Sequence, residues 1–472
     1  MKSMVSIRVP KKIILFIGLI SVSLISCENF IEIPLPRSDL TRSTVFSNGE
    51  TAQAALFDIY YRMSQAGFVS GTQIGVSFLT ALSSDELVNY DLTTYSGQFE
   101  QFYQNAITQN SALVELLWSD PYTYIYRANA ILESIANSEG ITDDVKRQLE
   151  GEAKFVRAFS HFYLVNLFGD IPLVLTSDYR INAKLPRASV DEVYLQIVSD
   201  LKAAQALLPD DYEFSNYERT RPNRLAATAL LARVYLYLGD WANCEIESTK
   251  LLEQASVVSL SEDLSEVFLK NSNEAIWQIG SDYDNPPTLM FTIPSPGGLP
   301  PSSALSPGLI QEFEVGDMRK DIWTGAVTNG VDTFYYAAKY KAAGSEEIKE
   351  YYVVLRLAEQ YLIRAEARAR LDNVPGAIAD LDVVRGRAGL PLIADTNPSI
   401  SAEDLLTLIE KERRVELFTE WGHRWFDLKR TGRIDAVLDP IKSDWQPADA
   451  LYPIPEIQLL NSGGIMTQNP GY

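Results

Sequence analysis

Several aromatic residues lie in polar, loop-rich stretches of this chain, where they could bind a ligand. Tyr90 and Tyr95 follow a run of serine and acidic residues at 83–86, Tyr283 precedes a proline-rich stretch, and Trp323 precedes a Thr-Gly step. A flat ring on a loop can stack on the C–H face of a sugar while neighbouring Asp and Asn side chains bind its hydroxyls. The same rings could instead anchor their loops, and for each residue taken singly the sequence favours neither role.

The residue types that carry most catalytic and metal chemistry are scarce. The two histidines, His161 and His423, each lie in an aromatic-rich helical pattern, and neither has the spacing of a metal ligand or a catalytic triad. We therefore expect both to be buried or half-buried structural side chains. The Gly-Gly step at 297–298 lies among prolines with no helix after it, so no phosphate loop is predicted. No pattern indicates a cofactor or an enzyme, although a carboxylate pair for glycoside hydrolysis stays open.

The first 27 residues have the pattern of an export signal. Four basic residues precede an apolar run from Ile13 to Ile25, which is shorter than the ~20 residues that a membrane-spanning helix needs. The run ends on Leu-Ile-Ser-Cys, which resembles a bacterial lipobox. We expect residues 1–26 to be removed and the sulfur of Cys27 to carry lipid, so that the chain is exported and tethered to a membrane.

Charge and cysteine content exclude several kinds of partner and site. The net charge of −21 becomes −25 once the four basic residues of the signal are removed. Such acidity disfavours binding to nucleic acid and polybasic attachment to anionic lipid. Besides Cys27 only Cys244 remains, so neither an intramolecular disulfide nor a multi-cysteine metal site is expected.

Helical periodicity dominates from residue 51 onward, and one helical plan occurs twice. Alanine-rich helices are predicted at 224–238 and 357–371, each followed by a turn and a partner helix, at 241–254 and 376–387. A helix–turn–helix of about 34 residues is the tetratricopeptide period. Further helices are predicted at 112–136 and 145–168, and one that starts after Ser189 with Glu192 as its capping-box partner.

The predicted fold is mostly α: a tetratricopeptide-like helical-repeat scaffold with a loop-rich insertion containing short β-strands. The strands are expected near 274–279, 332–340 and 351–355, where aromatic and β-branched residues cluster. The predicted organisation is a signal peptide at 1–26, an N-terminal helical region at 27–270, and a C-terminal region at 271–472 with ligand-binding loops and closing helices.

Two C-terminal segments carry distinctive motifs. Residues 410–433 read EKERRVELFTEWGHRWFDLKRTGR, and residues 451–472 read LYPIPEIQLLNSGGIMTQNPGY. Together with the lipobox and the segments NFIEIP at 29–34, EAKFVRAF at 152–159 and RLAE at 356–359, they resemble the SusD/RagB family of Bacteroidetes outer-membrane lipoproteins. The chain departs from the family pattern around Gly422 and at 462–464, where the family often has an Asn-Pro step.

This resemblance implies a function. Members of the family sit on the outer face of the outer membrane, bind a glycan or in some cases a peptide, and pair with a SusC-type TonB-dependent transporter without breaking a bond. By this analogy the ligand site would be formed by residues 85–99 and 281–350. The candidate hydroxyl acceptors are Asp85 and Asp91, and the candidate stacking rings are Tyr90, Tyr95, Tyr283 and Trp323.

The longer motif itself is interpreted as structural. Its glutamates recur at every fourth position and give one acidic stripe on a helix. Three arginines of the same motif could pair with that stripe or with Asp427, while Trp425 and Phe426 would pack between the charges. The glutamates are Glu412, Glu416 and Glu420, and the arginines are Arg413, Arg424 and Arg430.

Two other functions stay open at this point. The chain could be a lipid-anchored glycoside hydrolase, or a tetratricopeptide scaffold of the envelope that binds only protein through its alanine-rich helices.

Overall fold

The computed structural model describes residues 42–65, 67–69, 71–90, 97–281, 302–342 and 347–472. A short helix, α1 (Arg42–Val45), belongs to a separate N-terminal unit, and all other elements lie in the unit Phe46–Tyr472. Four predicted functional residues, Cys27, Asp91, Tyr95 and Tyr283, lie outside the described ranges.

Helices make up most of the second unit. They are α2 (Gly49–Gln65), α3 (Val76–Ser83), α4 (Gln98–Gln104), α5 (Ala112–Ile135), α6 (Asp143–Phe168), α7 (Tyr179–Asn182), α8 (Val190–Leu207), α9 (Arg224–Leu238), α10 (Trp241–Leu252), α11 (Pro307–Glu312), α12 (Met318–Trp323), α13 (Leu357–Arg370), α14 (Val374–Arg387), α15 (Ile393–Thr396), α16 (Ala402–Glu416), α17 (His423–Arg430), α18 (Ile434–Leu438) and α19 (Glu456–Asn461). No helix of the described ranges is both long and apolar enough to cross a membrane.

The long helices pack in series, as in a tetratricopeptide scaffold. Helix α5 packs on α6, α6 on α8, α8 on α9, α9 on α10, α10 on α13, and α13 on both α14 and α16. The two alanine-rich pairs predicted from sequence, α9–α10 and α13–α14, are therefore neighbours in space although they are far apart in sequence. The alanines of α9 and α13 are buried, which lets the helix backbones approach closely. The predicted mostly helical, tetratricopeptide-like fold is confirmed.

Helix starts follow local capping chemistry. The Ser189 hydroxyl accepts from the Glu192 N–H at 3.3 Å, and the Glu192 carboxylate accepts from the Ser189 N–H at 2.9 Å, which forms the predicted capping box of α8. Helix α14 begins two residues before its predicted start. The Asn373 side chain caps it by accepting from the Gly376 N–H at 3.1 Å, and a proline occupies its first turn.

Within the described ranges the strands form four antiparallel pairs: β1 (Leu87–Asn89) with β5 (Ser303–Leu305), β2 (Ile171–Pro172) with β3 (Arg187–Ala188), β4 (Ala275–Ile279) with β8 (Tyr352–Arg356), and β6 (Thr324–Thr328) with β7 (Thr333–Ala337). Strands β4, β7 and β8 confirm the three predicted positions. Strands β4 and β8 are buried along their whole length, whereas the β6–β7 hairpin is half-exposed.

The acidic stripe of the long motif is buried in a cluster of ion pairs. Glu416, which is fully buried, accepts hydrogen bonds from Arg319 Nη1 at 2.8 Å and from Arg356 Nη1 at 2.5 Å. Arg356 also donates to Glu420 through Nε at 2.8 Å. The acid–arginine cluster, as we call it, comprises Glu274, Glu412, Glu416 and Glu420 with Arg319, Lys339, Arg356, Arg385 and Arg387.

The three arginines of the motif take other partners. Arg413 and Arg430 bind Asp427 at 2.8 and 2.7 Å, which confirms that predicted alternative. Arg424 binds Asp85, a partner that the sequence did not indicate. Burial alone would raise the pKa of Glu416, but the charges of its arginine partners outweigh burial and hold it well below the usual value. The motif therefore ties distant segments into one interior, as its structural interpretation predicts.

Both histidines are buried, as predicted. His161 is fully enclosed in α6, and burial lowers the pKa of its imidazole to about 3, so the ring is neutral. His423 begins α17 and is 4% exposed, and its pKa is also lowered by burial. Neither ring is accessible to a ligand.

Candidate functional site

The two stretches predicted to form a ligand site meet at a small β-layer. Strand β1 pairs with β5 in the register Leu87↔Leu305, and β5 packs against β7. Just past β1, the Tyr90 N–H donates to the Ser302 carbonyl at 2.9 Å, which places the Tyr90 ring at the end of the pair. This ring meets Phe334 of β7 edge-on, with ring centroids 5.4 Å apart and an interplanar angle of 88°.

Polar groups surround this aromatic pair. Glu100 accepts from Asn89 Nδ2 at 2.8 Å and from Gln104 Nε2 at 2.7 Å, so its carboxylate is held beside the end of β1. Tyr90 is 39% exposed. Partial burial and the charge of Asp332 raise the pKa of its phenol, which therefore remains a neutral hydroxyl near pH 7. We call Asn89, Tyr90, Glu100, Asp332 and Phe334 the Tyr90–Phe334 surface.

The β6–β7 hairpin carries Phe334 into this position. Gly325 and Tyr336 pair across the hairpin, and a Cβ on Gly325 would lie 2.2 Å from the Tyr336 ring. Glycine therefore lets the tyrosine ring lie directly against the opposite strand. Neither Phe334 nor Tyr336 was predicted as a site residue. The aromatic, β-branched run at 332–340 that predicted a strand was the available signal.

Asp85 has a different role from the one predicted. Its Oδ1 accepts from Arg424 Nε at 2.7 Å, and its Oδ2 accepts from Arg424 Nη2 at 3.0 Å and from Arg414 Nη2 at 2.7 Å. Burial would raise the pKa of this carboxyl, but the two guanidinium groups lower it, so it is ionised. The prediction that Asp85 accepts ligand hydroxyls is corrected: it ties the start of β1 to α16 and α17.

Trp323 is also corrected, because it lies in the interior. Its side chain has no exposed surface, its Nε1–H donates to the Leu264 carbonyl at 2.8 Å, and its ring packs edge-on against Phe268 at 5.5 Å. The Thr-Gly step after it begins β6 rather than a loop. With no accessible face, Trp323 cannot stack on a ligand.

Of the six predicted ligand-binding residues, Tyr90 alone lies on an accessible surface within the described ranges. For Asp91, Tyr95 and Tyr283, which lie outside those ranges, the ligand-binding role stays a prediction. No group of three or more His, Cys, Asp or Glu side chains in the described part of the chain is arranged to hold a metal ion.

One buried carboxyl has the raised pKa expected of a general acid. Burial raises the pKa of Glu86 to about 8, against the effect of a hydrogen bond from the Thr419 N–H at 3.2 Å. Glu86 is only 2% exposed, however, so a substrate cannot reach it in this structure. A shifted carboxyl pKa is typical of glycosidase sites only where the group also faces the glycosidic bond.

Two family models match this chain. Residues 62–236 match a SusD-like model described as starch-binding and associating with the outer membrane, and residues 323–472 match the SusD family model. The chain belongs to the SusD/RagB family. This is a family of starch- and glycan-binding proteins associated with the outer membrane. The two matches fall on either side of residue 270, where the sequence predicts the division between regions, and that division stays a prediction.

Similar proteins cover nearly the whole chain. SusD-like protein P2 of Formosa agariphila is 27% identical over a 519-residue alignment that covers 96% of this chain and 98% of the relative. A solved laminarin-binding SusD-like protein is 27% identical with a TM-score of 0.73, covering 90% of this chain and 100% of its own. A SusD superfamily protein from Bacteroides vulgatus, at 20% identity and TM-score 0.77, covers 91% and 100% and shares the fold.

Proposed function

We propose that this SusD-family protein is a cell-surface lipoprotein that binds a neutral glycan and delivers it to a SusC-type TonB-dependent transporter without cleaving it. The observation that carries the proposal is the convergence of Tyr90 and Phe334 from two separate loop-rich stretches onto one accessible surface. A starch-binding family model and the similarity to a laminarin-binding protein support a glycan as the ligand.

The chemistry of the Tyr90–Phe334 surface favours a neutral ligand. A half-exposed ring offers a stacking face, while the carboxylates of Glu100 and Asp332 offer partners for hydroxyls. The two carboxylates would repel an acidic polysaccharide, because like charges brought together at a binding surface lower affinity. A neutral hexose polymer satisfies both conditions.

Binding without hydrolysis follows from how the buried carboxylates are used. Asp85, Glu416, Glu420 and Asp427 are each held by arginine, and the protonated Glu86 is inaccessible. Glycoside hydrolysis requires an acid and a base that flank one accessible bond, and none of these five carboxyl groups is placed to serve as either. Release of reducing sugar from laminarin or soluble starch by the purified protein would contradict this part of the proposal.

The binding experiment compares wild-type protein with Tyr90→Ala and Tyr90→Phe in affinity electrophoresis and calorimetry, using laminarin and soluble starch as probes. We expect wild-type protein to bind at least one probe, Tyr90→Phe to retain most of the affinity, and Tyr90→Ala to lose about ten-fold or more, which corresponds to about 1.4 kcal/mol. Absence of binding to both polysaccharides, or full affinity in Tyr90→Ala, would overturn the proposal.

The lipid anchor and the transporter need a test in cells. Cys27→Ala should leave glycan affinity in vitro unchanged but abolish membrane retention and glycan uptake, because the binding body would no longer stay beside its transporter. Purification of the wild-type chain from detergent-solubilised membranes should co-isolate a TonB-dependent transporter. Uptake that survives the Cys27→Ala change would overturn the delivery role.

A further inference from the structure

A groove of about 470 Å³ opens beside α2, the chain between 214 and 221, and the adjoining ends of β4 and β8. It shares no residue with the Tyr90–Phe334 surface. We propose that this groove is a second glycan-binding site, with the same neutral class of ligand. The proposal rests on the proposed function, because it takes the glycan as the ligand of this chain.

Aromatic rings form both walls of the groove. Phe57 and Tyr61 lie one helical turn apart on α2 and are 44% and 53% exposed, unlike the buried face of the same helix. Phe214 lies on the other wall. We call this feature the Phe57–Tyr61 groove. Two large rings left exposed side by side on α2 are unusual for a surface without a ligand or partner, and they provide the stacking faces that a sugar chain needs.

Arg221 sets the spacing of the two walls. Its guanidinium carbon lies 5.0 Å from the Phe57 ring centroid and 4.9 Å from the Phe214 centroid, so it contacts both rings. It is held in place by the fully buried carboxylate of Glu152, which accepts from Arg221 Nε at 3.2 Å and from the Tyr60 hydroxyl at 2.6 Å. The walls are therefore preorganised, which lowers the entropic cost of binding.

Hydrogen-bonding groups line the floor without leaving a net charge. Arg221 is neutralised by Glu152, and Glu218 is paired with Lys270 at 2.8 Å. Among the described residues, Arg221 donates one hydrogen bond from each nitrogen, to Glu152 through Nε and Nη2 and to the Phe214 carbonyl through Nη1, and a guanidinium has five N–H groups in all. The side chains of Ser215, Asn216 and Thr220 also line the groove. Balanced charge with donors and hydroxyls suits a neutral polyhydroxylated ligand better than a charged one.

The backbone beside the groove is strained in a way that exposes another ring. Asn216 and Tyr217 have φ of 54° and 63°, the left-handed region that a bulky residue rarely adopts. The conformation is held by the Tyr217 N–H, which donates to the Tyr212 carbonyl at 2.8 Å, and it leaves the Tyr217 ring 69% exposed. Strain of this kind is concentrated at binding sites.

Two sites on one chain would also increase avidity for a polymer over an oligosaccharide.

The test counts bound oligosaccharides by calorimetry with laminarihexaose and maltohexaose. We expect wild-type protein to bind two molecules of one of these probes per chain, and the double variant Phe57→Ala/Tyr61→Ala and the single variant Tyr90→Ala to bind one each. The ring-retaining double variant Phe57→Tyr/Tyr61→Phe should still bind two. Tyr179→Ala, which removes a 75% exposed ring elsewhere on the surface, serves as the matched control and should also bind two.

Each outcome separates the two proposals. Two bound molecules in Phe57→Ala/Tyr61→Ala, with an unchanged melting temperature, would overturn the second site and leave the proposed function standing. A single site in the wild-type chain that Tyr90→Ala abolishes would do the same. Absence of binding in the wild-type chain would overturn the proposed function and the second site together.

Discussion

The Tyr90–Phe334 surface and the acid–arginine cluster both combine aromatic rings with carboxylates, but their polar groups are bonded differently. In the cluster, Glu416 and Arg356 are buried and satisfied by each other and by neighbouring segments. On the surface, Tyr90 is partly exposed and the partners that hold Glu100 among the described residues are two side-chain amides. The strongest sequence motif thus builds the interior, whereas the proposed ligand surface lies where the sequence has no motif.

Replacement of Arg356 in the acid–arginine cluster is expected to lower stability more than any other change proposed for the ion pairs. Arg356→Ala would leave Glu416 and Glu420 as buried carboxylates short of their partner, and one-sided loss of a buried ion pair costs about 3–5 kcal/mol. We expect a drop of that size in the free energy of unfolding, measured by urea denaturation. Arg62→Ala, which breaks an exposed pair with Asp58, is the control and should cost less than about 1 kcal/mol. Equal effects would contradict the cluster's role.

Trp323→Ala and Tyr90→Ala test whether the interior ring contributes to stability and the surface ring to glycan affinity. Trp323→Ala should lower the free energy of unfolding by about 3–5 kcal/mol, because it empties a fully buried site. The glycan affinity of the remaining folded protein should be unchanged. Tyr90→Ala should show the reverse, with a stability change within about 1 kcal/mol and a large loss of affinity. Loss of glycan affinity in folded Trp323→Ala would restore its predicted role as a stacking ring.

Glu86 should make the stability of the protein depend on pH, because it is buried beside the cluster without an ion pair of its own among the described residues. Burial raises its pKa to about 8, whereas the pKa of an unfolded glutamate is about 4.3. A raised folded pKa gives stability that is full below about pH 4.3 and is lost as the pH rises toward 8.

Glu86→Gln should remove the loss of stability that Glu86 causes as the pH rises. We expect the variant and wild-type protein to be about equally stable near pH 4, and the variant to be more stable by roughly 1–3 kcal/mol at pH 8, in urea denaturation at both pH values. Asp85→Asn, which weakens two arginine contacts, should instead be destabilising at pH 8. A stability difference between Glu86→Gln and wild-type protein that does not change with pH would contradict the assignment.

Gly325→Ala is expected to have the smallest effect, and it tests whether the β6–β7 hairpin positions Phe334 in the Tyr90–Phe334 surface. The added methyl group would displace the Tyr336 ring, which is half-exposed and can shift, so we expect a loss of stability below about 1 kcal/mol. Because the same hairpin carries Phe334, glycan affinity should fall by two- to five-fold in calorimetry. Gly330→Ala at the hairpin tip, where a Cβ meets nothing within 4 Å but φ is 89°, separates backbone strain from crowding.

Sequence patterns predicted the helical scaffold well because its signals are local. Helix α9 matches its predicted bounds residue for residue: the Asn223 side chain caps its start by accepting from the Ala226 N–H at 3.0 Å, and Gly239 ends it with φ of 69°. Both signals act within one helical turn of the helix end. The site residues were predicted less well, since Asp85 and Trp323 have chemically suitable side chains but are engaged in the interior.

The sequence by itself determined the helices, their alanine-rich pairing, the burial of both histidines and the structural character of the long motif. Only the tertiary structure decided which arginines bind Glu416. It likewise decided that Arg414 and Arg424 bind Asp85 and that the Tyr90 ring contacts Phe334. Helix caps and periodicity join residues three or four positions apart, so a sequence window contains them. Arg356 and Glu416 are 60 positions apart, and Asp85 and Arg424 are 339 apart. Such partners are chosen by how the helices pack, which no local pattern encodes.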